Sequence, residues 1–424
     1  MPVESSFLFL ALAVVFAALY GIRRYRTPLN PLTFFAAIQI GLITLTSGLV
    51  AYSFLPEADY PPEALTKTAL ISLVYVIGNI AAYLLLGNMP VRLFGWLMGF
   101  LRLGSERIAA RFSLFKFLVL LGCAVGAFAA LAVFGGGGML WLTDTRTAYI
   151  ANRAGAGPFY AAMHWFLVFA LLYYLWARRP RVIRLIVITG LFALAAYFSG
   201  SKNNILTMLV IGIVYYNFCV RRIPIVGYIV FIGMILSLFS VLLVIHGMTG
   251  NLHEVFRSYF RDYFDVTAQF LWRFDEFGYR YGSASVSDLW FYVPRGLFPD
   301  KPYEYGLTLI HQVLFPGMAE TGNTPGILLW AMAYLDFGVM GVFASGLLGG
   351  FWQRGSFEYY LKHRQSFFAF LLMMQFALWA PLTFATAGMT FILAIGLCIY
   401  FRLVLGRRQI HMPLRVESSP VRPS

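Results

Sequence analysis

Long apolar runs constrain this chain more than any other feature of it. They fall at 6–22, 31–54, 66–87, 113–134, 158–177, 184–199, 204–220, 224–247, 326–351, 366–384 and 387–402. Most are about 17 to 25 residues, the length at which a helix crosses a bilayer core. Lipid leaves the backbone of an open strand unsatisfied, and the runs are too long and too evenly apolar for barrel strands. With 60% of 424 residues apolar and 12% charged, a water-soluble domain is excluded. The expected fold class is an all-α polytopic integral membrane protein of about eleven transmembrane helices. The first run lacks a basic leader and a small-residue cleavage site, so it is expected to remain as a span. Cys123, Cys219 and Cys398 lie inside apolar runs, where a thiol behaves as a small hydrophobe, and no disulfide framework is expected.

Thirty-two basic residues face eighteen acidic ones, a balance that in a soluble chain would suit nucleic acid. In a membrane chain the placement of the charges reports orientation. Starting from "RRYR" after the first run, alternation gathers "VRLFGWLMGFLRLGSERIAAR", "RRPRVIR", "RRIP", "QRGSFEYYLKHRQ" and the "GRRQIHMPLR" tail on one side, which with the span ends that border it holds 22 of the 32 basic residues. That side is expected to be cytoplasmic, with the N-terminus outside, the C-terminus inside and no nucleic-acid partner. The expected organisation is helices 1–8 over 1–247, one large external loop over 248–325, helices 9–11 over 326–402, and a cytoplasmic tail over 403–424. Val91–Leu103 is too short to cross and suits an interfacial helix.

The external loop is far longer than an ordinary link between helices. Its first third, "NLHEVFRSYFRDYFDVTAQFLWRFDEFGYR", spaces Phe256, Phe260 and Tyr263 helically beside Arg257 and Arg261, as in amphipathic helices against the bundle's outer face. Further on, "VPRGLFPDKPYEYG" is irregular because each proline turns its predecessor away from helix. There Asp300 is expected to bond nearby backbone, and Gly306 to let the chain turn. A second external stretch, "GGGGMLWLTDTRTAYIANRAGAGP", reads as flexible at its start and rich in small residues. No repeated half-sequence marks a transporter, and the spans read as unbroken.

Ten basic residues stand on the side expected to be poor in them: Lys67, Arg146, Arg153, Lys202, Arg257, Arg261, Arg273, Arg280, Arg295 and Lys301. About half would pair with the fourteen acids of that side as weak surface ion pairs, leaving the rest for a ligand, and phosphate is the natural one for guanidinium. "YFSGSKNNILTML" ends one span and begins the next, so Lys202 stands at a helix start expected to be capped by Ser201, Asn203 or Asn204. Its ammonium and the free helix N–H groups would form an anion site, or the stretch is simply a polar turn with a snorkelling lysine. For a proton acceptor, His311 and Glu320 rank equally, though His311 in "LTLIHQVLF" equally suits a packed helix. Asp336 lies about 16 Å into its run by helical rise; it is either functional, or bonded to a neighbouring tyrosine such as Tyr334 or to another helix. His164 invites the same two readings. The large loop has no Asp-x-Asp pair and no His or Cys ligand spacing, so no metal and no cofactor are expected.

"SGSKNN", "VPRGLFPDKPYEYG" and "GNTPGILLWAMAYLDFGVMGV" resemble three segments of the Wzy-type O-antigen polymerases: a Ser-Gly-Ser-basic turn, a Pro-Arg-x-x-x-Pro-x-Lys-Pro stretch, and a post-loop helix. Arg146 with Gly157 and Arg295 with Gly306 also match the family's Arg, ten residues, Gly pattern in two periplasmic loops. The resemblance implies a GT-C-like glycosyltransferase of the bacterial inner membrane that moves a growing glycan from undecaprenyl pyrophosphate onto a new lipid-linked repeat unit. It implies a catalytic group of Arg295, Arg146, Lys202, Glu320 and His311. Substrate contacts would come from Arg153, Lys301, Tyr303, Tyr305, Asn323, Arg273 and Arg280, with the tyrosines stacking on sugar. The implied partners are the lipid-linked donor and acceptor glycans, membrane lipid and a chain-length regulator protein.

Two rival functions share the topology, a flippase for lipid-linked oligosaccharide and an O-antigen ligase. The ligases carry a histidine near the start of the post-loop helix, where this chain has "TGNTPG". Cysteine introduced near Ser285 is expected to react with an impermeant reagent in intact cells. Labelling only after permeabilisation would reverse the assigned orientation.

Overall fold

Where they are described, the long apolar runs form helices. The computed structural model describes residues 2–100, 112–224, 226–230, 252–293, 298–317, 326–364 and 366–374, with single positions at 233–234, 237, 241 and 396. Helix α1 is Val3–Tyr25, α2 Pro31–Ser53, α3 Pro62–Leu85, α4 Met89–Phe100, α5 Leu114–Phe134, α6 Thr145–Arg178, α7 Val182–Tyr197 and α8 Lys202–Val220. Then come α9 Leu252–Trp272, α10 Ser283–Ser287, α11 Thr308–Leu314, α12 Ala331–Lys362 and α13 Phe367–Met373. No strand occurs among the described residues. Seven helices are long and apolar enough to cross a membrane: α1, α2, α3, α5, α6 from Phe159, α8 and α12. The chain is therefore an all-α, multi-pass membrane protein. The sixth expected span is the shorter α7, and those at 224–247, 366–384 and 387–402 lie wholly or largely outside the described residues.

The closest approach inside the bundle is made by glycine. Gly346 and Gly350 lie four residues apart on one face of α12. A Cβ on Gly346 would strike the carbonyl oxygen of Tyr75, and one on Gly350 that of Asn79; across the contact, Gly78 of α3 lies against the carbonyl of Phe343. Without a hydrophobic drive between helices in lipid, such small residues let backbones approach and gain dispersion contact. One turn further, Asn79 Nδ2 donates to Gln353 Oε1 at 3.1 Å. Arg354, only 3% exposed, donates to the carbonyls of Ala82 and Tyr83 at 3.0 and 3.1 Å. These are last-turn acceptors of α3 that have no partner within their own helix. Glu358 neutralises Arg354 at 3.1 Å and also accepts from Arg24 and Tyr25 of α1 at 2.9 and 2.8 Å. The small-residue spacing in "SGLLGG" was readable in the sequence, but the apolar-run reading passed over it.

The segment expected as a short helix at Val91–Leu103 is helical as far as it is described, as α4, which buries Val91, Phe94 and Met98 and exposes Trp96 and Phe100. Helix α9 is a single helix and does more than lie on the outer face. Phe264, Ala268 and Phe270 are fully buried, and Ser47 of α2 accepts from the Phe264 N–H at 3.0 Å while donating to the Phe260 carbonyl. Not every span is unbroken: α2 is π-helical over Phe35–Leu45, and α12 loses helical geometry at Phe337 and Gly338.

Gly350→Leu is expected to cost about 1–3 kcal/mol by forcing α3 and α12 apart. Gly190→Ala in α7, where an added Cβ meets open space, should leave the unfolding temperature in detergent nearly unchanged. Equal melting of the two variants would remove the close glycine contact as a source of stability.

Candidate functional site

The break in α12 makes a docking point for the external loop. Residues 326–330 are not helical and Phe337 and Gly338 leave helical geometry, so Asp336 closes a segment of about one and a half turns. It therefore lies at the loop junction, not at the depth an unbroken helix implies. Its side chain is fully buried. Oδ1 accepts from the N–H groups of Gly282 and Ala284 at 3.0 and 3.1 Å; Oδ2 accepts from the Ser285 N–H at 3.0 Å and the Ser285 hydroxyl at 2.5 Å. The Arg280 and Tyr281 N–H groups donate to the carbonyls of Leu335 and Asp336 at 3.0 and 3.1 Å. An aspartate from another helix thus caps α10, satisfying N–H groups that a helix start leaves open. Of the two partners foreseen for it, the bond is to another helix, while Tyr334 packs edge-on to Phe270 and Phe274. Gly338, at φ 60°, is held against the Tyr279 ring, where a side chain would collide.

From α10 the chain turns through Asp288–Tyr292, which lies against α6. The Gly306 N–H donates to Ser287 Oγ at 2.9 Å, and Gly306 adopts φ 56° with no room for a Cβ beside Asp288. The expected turn at Gly306 is present, and its reason is this close approach. Burial raises the Asp288 carboxyl above the ordinary carboxylate range. Asp300, expected to anchor the stretch, is exposed and has no hydrogen-bond partner among the described residues. Asp336 and Ser287 do that work instead.

At the outer ends of α6 and α8 two predicted site residues come together. The stretch expected to be loop around Arg146 is helix: Asp144 caps α6 through the Thr147 N–H at 3.1 Å, and the helix runs unbroken through Pro158. Arg146 and Gly157 are therefore helical, and Arg153 lies in the same helix. Gly200, at φ 67°, presses the "SGSK" turn onto the Thr145 carbonyl and the Tyr149 side chain, leaving no space for a Cβ. This contact makes Lys202, the first residue of α8, an electrostatic neighbour of Arg146, whose guanidinium sits 5.5 Å from the Tyr149 ring centre. Ser201 occupies the helix-start position without making a cap bond. The polar link below it runs through Asn204, which donates to Tyr160 Oη at 2.8 Å and Ser199 Oγ at 3.0 Å.

The remaining candidates have varied surroundings. Arg295, Glu320 and Asn323 lie outside the described residues. Lys301 is 4% exposed and donates to the Val293 carbonyl at 3.0 Å, with its ammonium 4.8 Å from the Tyr305 ring. Tyr303 is exposed, and the Tyr305 N–H donates to Thr308 Oγ1. His311 is 3% exposed in α11, one turn from Phe315 on the same helix. Arg273 forks onto Glu276 with two 2.6 Å contacts, a hydrogen bond that pulls the Glu276 carboxyl down, and Arg280 is exposed. Of the external cations, Arg261 also faces an acid, Asp265, at 3.8 Å, while Lys67 donates to the Leu271 carbonyl at 3.2 Å. Among the described residues no group of three or more His, Cys, Asp or Glu side chains converges in a metal-binding arrangement. Comparison of the chain with protein-family models, curated proteins and solved structures finds no match.

Asp336→Asn is expected to turn a side-chain N–H₂ toward backbone donors and release the start of α10. Hydrogen exchange at the Gly282, Ala284 and Ser285 amides should rise about tenfold or more. Unchanged exchange would show that the aromatic contacts hold the loop without the carboxylate. Because Ser285 is buried against Asp336, the topology label belongs on Tyr281 or Val286, both well exposed.

Proposed function

We propose that the chain is a membrane glycosyltransferase that polymerises undecaprenyl-pyrophosphate-linked oligosaccharide repeat units into O-antigen or a related surface polysaccharide. The observation that carries this reading is the meeting of Arg146 and Lys202 at the outer end of the bundle. Two cations brought together from the starts of two helices repel each other, and an anion beside them relieves that repulsion. Arg146 takes part in none of the ion pairs among the described residues. The 3₁₀ turn that leads into Arg295 also lies against the helix that carries Arg146.

In this reading the acceptor sugar's hydroxyl attacks the anomeric carbon of the donor glycan, and the carbon–oxygen bond to undecaprenyl pyrophosphate breaks. Arg146, Lys202 and Arg295 would stabilise the charge that grows on the departing pyrophosphate, as preformed cationic donors do in a water-poor site. Such charge-assisted contacts contribute roughly 1.5–3 kcal/mol each. His311 is packed inside α11, which leaves Glu320 as the base of this reading. The surroundings of Lys301 and Arg273 fit support of the loop better than contact with phosphate, while exposed Tyr303 keeps a face for sugar. The reaction would run on the periplasmic side of the inner membrane, with the N-terminus on that side and a chain-length regulator as partner.

Purified protein given one lipid-linked repeat unit should yield a ladder of glycans, and Arg146→Ala should lower the rate about tenfold or more, the equivalent of ~1.4 kcal/mol. Arg295→Lys keeps the charge but loses the paired contact, so its loss should be partial. Unchanged glycan would favour a flippase. Transfer only to lipid A core would make the protein a ligase.

A further inference from the structure

A second cationic site stands at the opposite ends of the same helices. The sequence "ARRPR" ends α6 with Arg179 in a left-handed conformation, φ 46° and ψ 61°, its N–H donating to the Leu175 carbonyl at 3.0 Å. Residues other than glycine seldom adopt it. Pro180 then stops the helix, and Arg181 stands in extended conformation at the start of α7. Arg364 joins them from the link between α12 and α13. These three arginines edge a cavity of about 300 Å³ whose walls include Trp176, Tyr215 and Phe218.

Charge and shape together specify what fits. None of the ion pairs among the described residues includes Arg179, Arg181 or Arg364, and the nearby acid of α12, Glu358, is already taken by Arg24 and Arg354. Three guanidinium groups from three chain segments suit an anion with several oxygens, as phosphate has. The wall is aromatic and apolar, which a free ion would not need. From Arg181 the outer face of α7 continues as exposed Ile183, Ile186 and Val187, a track for an acyl chain.

We propose that this pocket binds the phosphate group of an anionic membrane lipid, with Arg179, Arg181 and Arg364 on the headgroup and the lipid tail along α7. Basic pockets between helix ends recognise phospholipid headgroups by this chemistry. Such a lipid would tie the end of α6 and the start of α7 to the α12–α13 link and so stabilise the bundle. The proposal is independent of the reaction proposed above, whose Arg146 and Lys202 lie at the other ends of α6 and α8.

The full chain in detergent, titrated with short-chain phosphatidylglycerol, phosphatidylcholine or sodium phosphate, separates the sources of phosphate. The melting temperature should rise with phosphatidylglycerol and change little with phosphatidylcholine. The combined Arg179→Gln, Arg181→Gln, Arg364→Gln variant should lose that rise, each arginine weakening apparent binding by about tenfold. If that variant does not fold, Arg364→Gln alone must show the tenfold loss. An equal response of wild type and variant, or of the two lipids, would overturn the site. A rise with sodium phosphate and none with phosphatidylglycerol would overturn the lipid assignment.

Discussion

The long segment between α9 and α12 depends on the Asp336 carboxylate. Four donors from residues 282–285 converge on its two oxygens, in a place with no exposure to solvent. A buried carboxylate left without such partners would be strongly unfavourable, and one fully satisfied specifies a single arrangement. From that anchor the chain passes through α10 to the turn lying on α6, and back through Gly306 onto Ser287. The aromatic cluster of Phe270, Phe274, Phe277 and Tyr334 then fills the space between the loop and the bundle. Fixing the loop therefore also fixes the turn Asp288–Tyr292 against α6, the helix that carries Arg146.

Charge is handled differently at the two ends of the bundle. On the side of Arg24 and Arg354, Glu358 gathers two arginines and a tyrosine, and Arg354 completes the end of α3. At the opposite end, Arg261 and Arg273 have acids, and Lys67 and Lys301 close backbone carbonyls. What sets Arg146 and Lys202 apart is that packing brings two cations together. Gly200 forces the meeting, because only a residue without a side chain can lie so close to Thr145 in that left-handed conformation.

The bundle was legible in the sequence because bilayer thickness sets the length of a span, and apolar length survives any detail of packing. The short α4 was legible as a helix too short to cross for the same reason. Depth within a run was not. Asp336 sits at a break after which Gly338 takes a positive φ, and an Asp-Phe-Gly triplet inside an apolar run gave only a faint sign of it. The helix around Arg146 was hidden because "AGAGP" has the composition of a loop, while Asp144 supplies the cap that starts it. Spacing pointed to Arg146 and Lys202 separately. Their meeting depends on contacts between α6 and the α7–α8 turn, which no local pattern encodes. Gly306 was the reverse case, where a glycine after a proline-rich stretch correctly marked a turn.

The central claim is that the Asp336 anchor, acting through the docked loop, completes a pyrophosphate site over Arg146 and Lys202. The most direct test is the affinity of undecaprenyl pyrophosphate for the wild type, Arg146→Ala and Asp336→Asn proteins, all folded in the same membrane mimetic. Asp336 touches no ligand in this account, yet its loss is predicted to weaken binding together with release of the loop, as loss of Arg146 does by direct contact. Undiminished binding by Asp336→Asn protein whose loop has been released would contradict the account.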